Sequence, residues 1–223
     1  MLAAQAVTAC HWVKSGNGTG QCNMFFIKAD SEVAVIVIHE IYGLNKHMAT
    51  FCNKIAQQQM DVFCPNLLNK NKPFDYRREN KAYSYFIGHV GFKDSVAKIT
   101  DLNQSLRNQY RSVYVIGFSV GATIAWLCSE NEQWDGVVGY YGSRIRDYMD
   151  IKPRCPVLLH FPEQEKSFHV DDLIRTLSQK ESTQVLKYEG LHGFADPYSK
   201  NYCRASCERA FRQTLHFIKK STF

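Results

Sequence analysis

The chain has no run of the roughly eighteen consecutive apolar residues that a membrane-spanning helix requires. It also has no C-x-x-C pair among its eight cysteines, and Cys203 and Cys207 have no partner pair at zinc-finger spacing. Lysine and arginine are scattered along the chain rather than clustered, although the net charge is +6. These absences argue against a membrane protein, a zinc-finger protein and a nucleic-acid-binding protein.

The cysteines and the first residues indicate the cellular compartment. Cys52, Cys64 and Cys128 lie in apolar periodic segments, where a free cysteine acts as a small core residue, so we expect a reducing environment. The first ten residues faintly resemble a lipoprotein signal, but no basic residue precedes their apolar part, which Gln5 interrupts. We therefore expect a soluble cytoplasmic protein, either a monomer or a homodimer.

Length and composition are those of one globular domain. The 223 residues are 45% hydrophobic and 22% charged, with no internal repeat and no long linker. We expect a single α/β domain over 1–223 with its core at about 25–219, and residues 1–24 as an N-terminal extension or an edge strand.

Strand and helix patterns alternate from residue 33 onwards, which predicts a doubly wound, mostly parallel sheet with helices on both faces. In such sheets the reactive groups lie at the carboxyl ends of the strands. The predicted strands are 33–38, 61–64, 112–116, 135–140, 156–161 and 183–188, and the predicted helices are 46–59, 76–87, 91–109, 122–128, 168–180 and 203–219.

A G-x-S-x-G sequence at 117–121 follows the apolar run 112–116 and precedes a helical pattern. In that context it predicts a nucleophile elbow, in which a tight strand-to-helix turn exposes the hydroxyl of Ser119 above the sheet. The alternative is an ordinary tight turn with a packing serine.

A serine hydroxyl needs a base, and His192 has the right position for one, in a glycine-flanked loop after the last predicted strand. The acid that orients this histidine is expected after the strand 156–161. Glu165 is our first choice and Glu163 its rival, while Asp171 and Asp172 suit the first turn of the next helix better.

The segment from His39 to Gly43, His-Glu-Ile-Tyr-Gly, ends the first buried strand. We expect the backbone amides of Ile41 and Val120 to form an oxyanion hole, with Glu40 at the edge of the site. As a metal site the His39–Glu40 pair would need further ligands, and none is spaced for that role, so we expect neither a metal nor a cofactor.

Four motifs in this order resemble the dienelactone hydrolase family over about residues 25–219. The resemblance implies an α/β-hydrolase fold and hydrolysis of a small ester or lactone through an acyl-enzyme. It also implies that Glu40 touches and modulates the nucleophile, and that Arg78 or Arg77, upstream of Tyr83, contacts a substrate carboxylate. The motifs are His39-Glu40-Ile41-Tyr42-Gly43, Gly117-Phe118-Ser119-Val120-Gly121-Ala122, Val138-Gly139-Tyr140-Tyr141-Gly142 and Gly190-Leu191-His192-Gly193-Phe194.

The chain departs from the family pattern at three positions. Ser119 stands where the best-known members have a cysteine nucleophile. Glu165 stands in place of the usual aspartate, and Asp196 in place of a second arginine that binds the substrate carboxylate. We therefore expect a neutral or differently charged small ester as substrate rather than dienelactone itself. Transfer of the acyl group to an acceptor other than water would use the same residues, and the sequence does not distinguish it from hydrolysis. The alternative is a catalytically weak hydrolase-fold protein that binds a ligand or a partner.

Overall fold

The computed structural model describes residues 8–14 and 22–222, and one eight-stranded sheet forms its centre. The strand order is β1-β2-β4-β3-β5-β6-β7-β8. Six neighbouring strands are parallel to one another, namely β4, β3, β5, β6, β7 and β8. At one edge of the sheet, β2 pairs antiparallel with β4, and β1 pairs antiparallel with β2. The strands are β1 Thr8–Lys14, β2 Cys22–Lys28, β3 Val33–Ile38, β4 Asp61–Pro65, β5 Ser112–Phe118, β6 Gly136–Tyr140, β7 Val157–Pro162 and β8 Thr183–Tyr188.

Six α-helices and two short 3-10 turns connect these strands within the described residues. The helices are α1 Lys46–Ala56, α2 Glu79–His89, α3 Phe92–Arg107, α4 Val120–Cys128, α5 Val170–Leu177 and α6 Arg204–Thr222, and the 3-10 turns are Tyr76–Arg78 and Ser143–Asp147.

The central strand β3 shows why the sheet is covered on both faces. Ile36 and Ile38 pack into a core with α2, α3, α4 and α5, whereas Val35 and Val37 pack into a second core with α1 and α6. These four side chains are fully buried, and each such burial contributes roughly 1.5–3 kcal/mol. The predicted doubly wound, mostly parallel sheet with helices on both faces is therefore confirmed.

The observed elements differ from the predicted ones mainly at their ends. Helix α1 ends at Ala56 rather than at 59, because a turn follows in which Gln59 has a φ of 61°. The helix predicted to start at 76 begins as a 3-10 turn capped by Asp75, and α2 proper starts at Glu79. Strand β5 continues to Phe118, so that one residue alone separates it from α4.

The sequence analysis did not separate two strands near the N-terminus. β1 forms the edge of the sheet and β2 joins it to β4, while residues 1–7 and 15–21 lie outside the described part. Phe25 and Ile27 of β2 are buried and Phe26 is half-buried, an alternation that marks a strand. None of the described helices is long and apolar enough to cross a membrane.

Parallel strands bring their following loops to one edge of the sheet. The segments after β3, β5, β6, β7 and β8 carry Glu40, Ser119, Tyr141, Glu165 and His192. Residues far apart in sequence thus meet at the carboxyl edge, where a site is expected in this kind of fold.

Candidate active site

Ser119 occupies a strained turn between β5 and α4. Its backbone has φ 54° and ψ −114°, a conformation that costs a non-glycine residue about 1–3 kcal/mol. The turn is held on both sides, because the Ser119 amide donates to the Tyr140 carbonyl at 2.9 Å and the Ser119 carbonyl accepts from the amides of Ala122 and Thr123. The surroundings therefore impose a conformation that the serine would not adopt alone.

The two motif glycines provide clearance for this turn. Neither has a positive φ; instead, a Cβ atom on Gly117 would lie 2.0 Å from the carbonyl oxygen of Gly121. A Cβ atom on Gly121 would lie 2.4 Å from the carbonyl oxygen of Ile38 and 2.7 Å from that of His39. Helix α4 can thus start directly against the end of β3 only if both positions lack a side chain.

Three side chains predicted from the sequence form one hydrogen-bonded series. The Nε2 atom of His192 lies 3.0 Å from the Oγ atom of Ser119, and its Nδ1 atom lies 2.7 Å from an Oε1 oxygen of Glu165. The Glu165 side chain is only 6% exposed, whereas that of His192 is 37% exposed. A buried carboxylate therefore fixes an imidazole that remains partly open to solvent.

The other carboxylates considered for the acid lie elsewhere. Glu163 is exposed. Asp171 forms an ion pair with Lys187 at 2.6 Å, and Asp172 pairs with Arg175 at 3.0 Å. Both aspartates lie in the first turn of α5. Of these candidates, the structure brings Glu165 to the histidine.

The charge state of His192 depends on its neighbours. Burial by itself would lower the pKa of its imidazole, but the hydrogen bond and charge of Glu165, together with the charge of Glu40, raise that pKa above its usual value. The loop around it is shaped by Gly190 and Gly193, which have φ values of 118° and 88°. Asn201 donates a hydrogen bond of 2.7 Å to the His192 carbonyl.

The amides of Ile41 and Val120 are available to a ligand. Within the described part of the chain, neither amide donates a hydrogen bond to the protein. The turn that carries Ile41 is pinned by His39, whose Nδ1 atom donates to the Glu40 carbonyl and whose Nε2 atom accepts from the Leu67 amide. Burial lowers the pKa of His39 to about 4, so its ring is neutral and structural.

Glu40 is 5% exposed, and its contact is with a tyrosine. The hydroxyl of Tyr141 donates to Glu40 Oε1 at 2.9 Å, and among the described residues no hydrogen bond joins Glu40 to Ser119. Burial and the nearby charge of Asp196 raise the pKa of Glu40. The centroid of the Tyr141 ring lies 4.9 Å from that of the His192 ring, so Tyr141 contacts both Glu40 and His192.

The two arginines named from the resemblance lie on the surface. Arg77 pairs with Asp75 and its side chain is 89% exposed, and Arg78 is exposed as well. Half-buried Tyr83 instead accepts hydrogen bonds from the guanidinium of Arg144, which follows the end of β6. The cation that contacts Tyr83 here thus comes from a different loop than Arg77 and Arg78.

Sequence reasoning missed three side chains that the structure places beside Glu40. Tyr141 belongs to the motif at 138–142, so that motif could have indicated a place for Tyr141 near the site. Asp196 was noted as a departure, but not as a buried group that accepts from Tyr76 at 2.6 Å. His47 lies in the first turn of α1, and nothing in its sequence spacing points to Glu40 or Asp196.

The sheet order and the strand–serine–helix turn define an α/β-hydrolase fold. A comparison with solved structures agrees with this. A putative dienelactone hydrolase from Klebsiella pneumoniae superposes with a TM-score of 0.72 at 20% identity, covering 87% of this chain and 91% of that one. A dienelactone hydrolase-like promiscuous phosphotriesterase from metagenomic libraries also has a TM-score of 0.72, at 15% identity over 88% and 91% of the two chains.

The chain belongs to the dienelactone hydrolase family, whose model matches residues 24–222. It is 43% identical over 187 residues to the uncharacterized protein YczH of Bacillus subtilis, covering 83% of this chain and 90% of that protein. It is also 23% identical over 202 residues to the carboxymethylenebutenolidase of Pseudomonas putida, covering 82% and 84% of the two chains.

Proposed function

We propose that this chain is a serine hydrolase that cleaves small carboxylic esters or lactones through an acyl-enzyme on Ser119. The observation that carries the proposal is the hydrogen-bonded series from Ser119 through His192 to Glu165. The best-known members of the family have a cysteine at this position, and a cysteine can ionise to a thiolate. A serine hydroxyl is not ionised near neutral pH, so Ser119 depends on a neighbouring base. His192 lies within hydrogen-bond distance of its hydroxyl.

In the first step the Ser119 oxygen attacks the carbonyl carbon of the ester, and its proton passes to His192 Nε2. Glu165 accepts a hydrogen bond from Nδ1 and stabilises the imidazolium that forms. The negative charge that develops on the carbonyl oxygen is held by the amides of Ile41 and Val120. Because Val120 begins α4, the helix dipole favours the same charge.

In the second step the imidazolium of His192 donates its proton to the leaving oxygen as the carbon–oxygen bond breaks. The products are the free alcohol, or the opened end of a lactone, and an ester of Ser119. His192 then takes a proton from water, whose oxygen attacks the acyl carbon. The second tetrahedral intermediate collapses to the carboxylic acid and regenerates the Ser119 hydroxyl.

The charges around the site favour a neutral ester over dienelactone. Two carboxylates, Glu40 and Asp196, lie close to the triad, while Arg77 and Arg78 are exposed on the surface. A substrate with an acidic group would be held by Arg144, which binds Tyr83. We therefore place the substrate among small esters and lactones that carry no acidic group.

A fluorophosphonate probe tests the proposal, because it labels an activated serine covalently. The wild-type protein is expected to be labelled and to hydrolyse short p-nitrophenyl esters, and Ser119→Ala is expected to lose both. Ser84→Ala, which changes an exposed serine of α2, serves as the control and should behave as wild type. If wild-type protein neither reacts with the probe nor hydrolyses the esters, the chain is a binding protein and the proposal fails.

A further inference from the structure

Three side chains that can bind a metal ion lie together beside the triad. Glu40 comes from the turn after β3, His47 from α1 and Asp196 from the loop after His192. One ligand atom of each lies within 4.8 Å of the other two, and all three residues are at least 95% buried. No step of the proposed hydrolysis uses the side chain of His47 or of Asp196.

The buried ring of His47 lies beside both carboxylates without a hydrogen-bond partner among the described residues. Its Nδ1 atom is 3.6 Å from Glu40 Oε1 and 3.8 Å from Asp196 Oδ2, which is too long for hydrogen bonds. Across the described residues, neither ring nitrogen has a hydrogen-bond partner, although the side chain is 1% exposed. Burying an imidazole without a hydrogen-bond partner costs about 1–3 kcal/mol, so this side chain is one that a bound ion would satisfy.

The two carboxylates of the cluster accept hydrogen bonds from neutral donors. Glu40 accepts a hydrogen bond from Tyr141, and Asp196 accepts hydrogen bonds from the Tyr76 hydroxyl and the Tyr198 amide. No lysine or arginine of the described chain pairs with either carboxylate.

We propose that Glu40, His47 and Asp196 bind one divalent transition-metal ion such as Zn²⁺ or Mn²⁺. Two carboxylates neutralise the charge of such an ion, and an imidazole selects it over Mg²⁺ and Ca²⁺, which take oxygen ligands. Three protein ligands leave one position for water. The phenols of Tyr141 and Tyr76 then hydrogen-bond the ligating carboxylates, as partners of metal ligands commonly do.

The spacing of His47 from the two carboxylates needs little adjustment to hold an ion. Ligand atoms at about 2.0–2.2 Å from a tetrahedral ion stand about 3.3–3.6 Å from each other. The distances of 3.6 and 3.8 Å from His47 Nδ1 to the two carboxylates are therefore a few tenths of an ångström from the required values. A bound ion would join the turn that carries Ile41, helix α1 and the loop after His192.

Calorimetric titration of the chelator-treated full chain with Zn²⁺, Mn²⁺ and Mg²⁺ tests this site. One equivalent of Zn²⁺ or Mn²⁺ is expected to bind, and Mg²⁺ at least about tenfold more weakly. Asp196→Asn and His47→Gln should each weaken binding by about tenfold or more. The matched controls Asp171→Asn and His89→Gln make the same changes on exposed side chains and should leave the affinity unchanged.

A second measurement uses the unaltered chain, in case a variant fails to fold. In protein labelled with ¹⁵N-histidine, Zn²⁺ is expected to shift the ring nitrogen signals of His47, which its contact with Phe118 identifies. The inference is overturned if no stoichiometric ion binds, if the ion shifts other histidines but not His47, or if both variants bind as tightly as wild type. Because binding is measured directly, these results do not depend on whether the chain hydrolyses esters.

Discussion

Tyr141 donates a hydrogen bond of 2.9 Å to Glu40 at a position where both side chains are buried. The backbone of Tyr141 has a φ of 43°, which is unusual for an aromatic residue, so its conformation is held by the surrounding fold. Its ring also lies 4.9 Å from the ring of His192. One tyrosine thus connects the turn after β3 to the histidine loop.

Tyr141→Phe is expected to lower the free energy of unfolding by about 1–3 kcal/mol, because Glu40 loses its donor without gaining access to water. Urea denaturation followed by circular dichroism measures the change. The comparison variant is Tyr198→Phe. The Tyr198 hydroxyl contacts Thr50 on the surface, so its removal should change the free energy of unfolding by no more than about 0.5 kcal/mol. Equal stability of the two variants would show that the buried hydrogen bond contributes nothing.

Gly121→Ala is expected to destabilise the protein by about 3 kcal/mol or more, at the upper end of overpacking costs, since the new Cβ atom meets the backbone of Ile38 and His39. Gly88→Ala makes the same substitution in α2, where a Cβ atom meets nothing within 4 Å. There a gain of up to about 1 kcal/mol follows from helix propensity. Thermal unfolding of both variants measures the two changes in stability. A melting temperature of Gly121→Ala equal to that of the wild type would contradict the close approach of α4 to β3.

Local patterns were sufficient to predict the parallel sheet and the positions of Ser119 and His192. β3 and β5 are continuous apolar runs, and the G-x-S-x-G turn lies directly between a strand and a helix. They favoured Glu165 as the acid and assigned Asp171 to the first turn of a helix, as observed, but they could not exclude Glu163, because side-chain direction in a loop depends on packing. The cluster of His47 with Asp196 was equally hidden, since 149 positions separate the two residues in sequence.

The pH dependence of kcat/KM reports on His192. Only the neutral imidazole can accept the serine proton, so activity rises as pH increases through the pKa of His192, which lies above its usual 6.5. Glu165→Gln removes the charge and much of the hydrogen bond that raise this pKa. The acid limb of the profile is then expected to move to lower pH, while the plateau value of kcat falls.

Glu165→Asp is the control for that shift. It keeps the negative charge but shortens the reach by one methylene, so kcat should fall while the acid limb stays closer to its wild-type position. If Glu165→Gln leaves the acid limb where it is in the wild-type profile, Glu165 does not set the protonation of His192.

Arg144→Gln is expected to lower kcat/KM for esters with a carboxylate group at least about tenfold more than for neutral esters of the same size, because a charge-assisted contact is lost. Arg77→Gln, the corresponding change at the arginine that pairs with Asp75, should affect both substrates alike. Steady-state kinetics on matched acidic and neutral p-nitrophenyl esters make the comparison. A selective loss in Arg77→Gln instead would show that the substrate carboxylate binds at the position implied by the family resemblance.

His192→Ala is expected to reduce kcat by at least about three orders of magnitude, as removal of a base that activates a serine does. Combining it with Ser119→Ala should cost little more, because the two residues act as a unit. A full additive loss in the double variant would mean that they act independently.

The most direct test is mass spectrometry of the protein quenched with acid during turnover of a slow p-nitrophenyl ester. The account predicts one acyl group on the tryptic peptide 112–144, located at Ser119 by fragmentation, and accumulation of the same adduct in Glu165→Gln if deacylation slows. An adduct on Cys128 or on another peptide, or turnover that continues in Ser119→Ala, would contradict the assignment of Ser119 as the nucleophile.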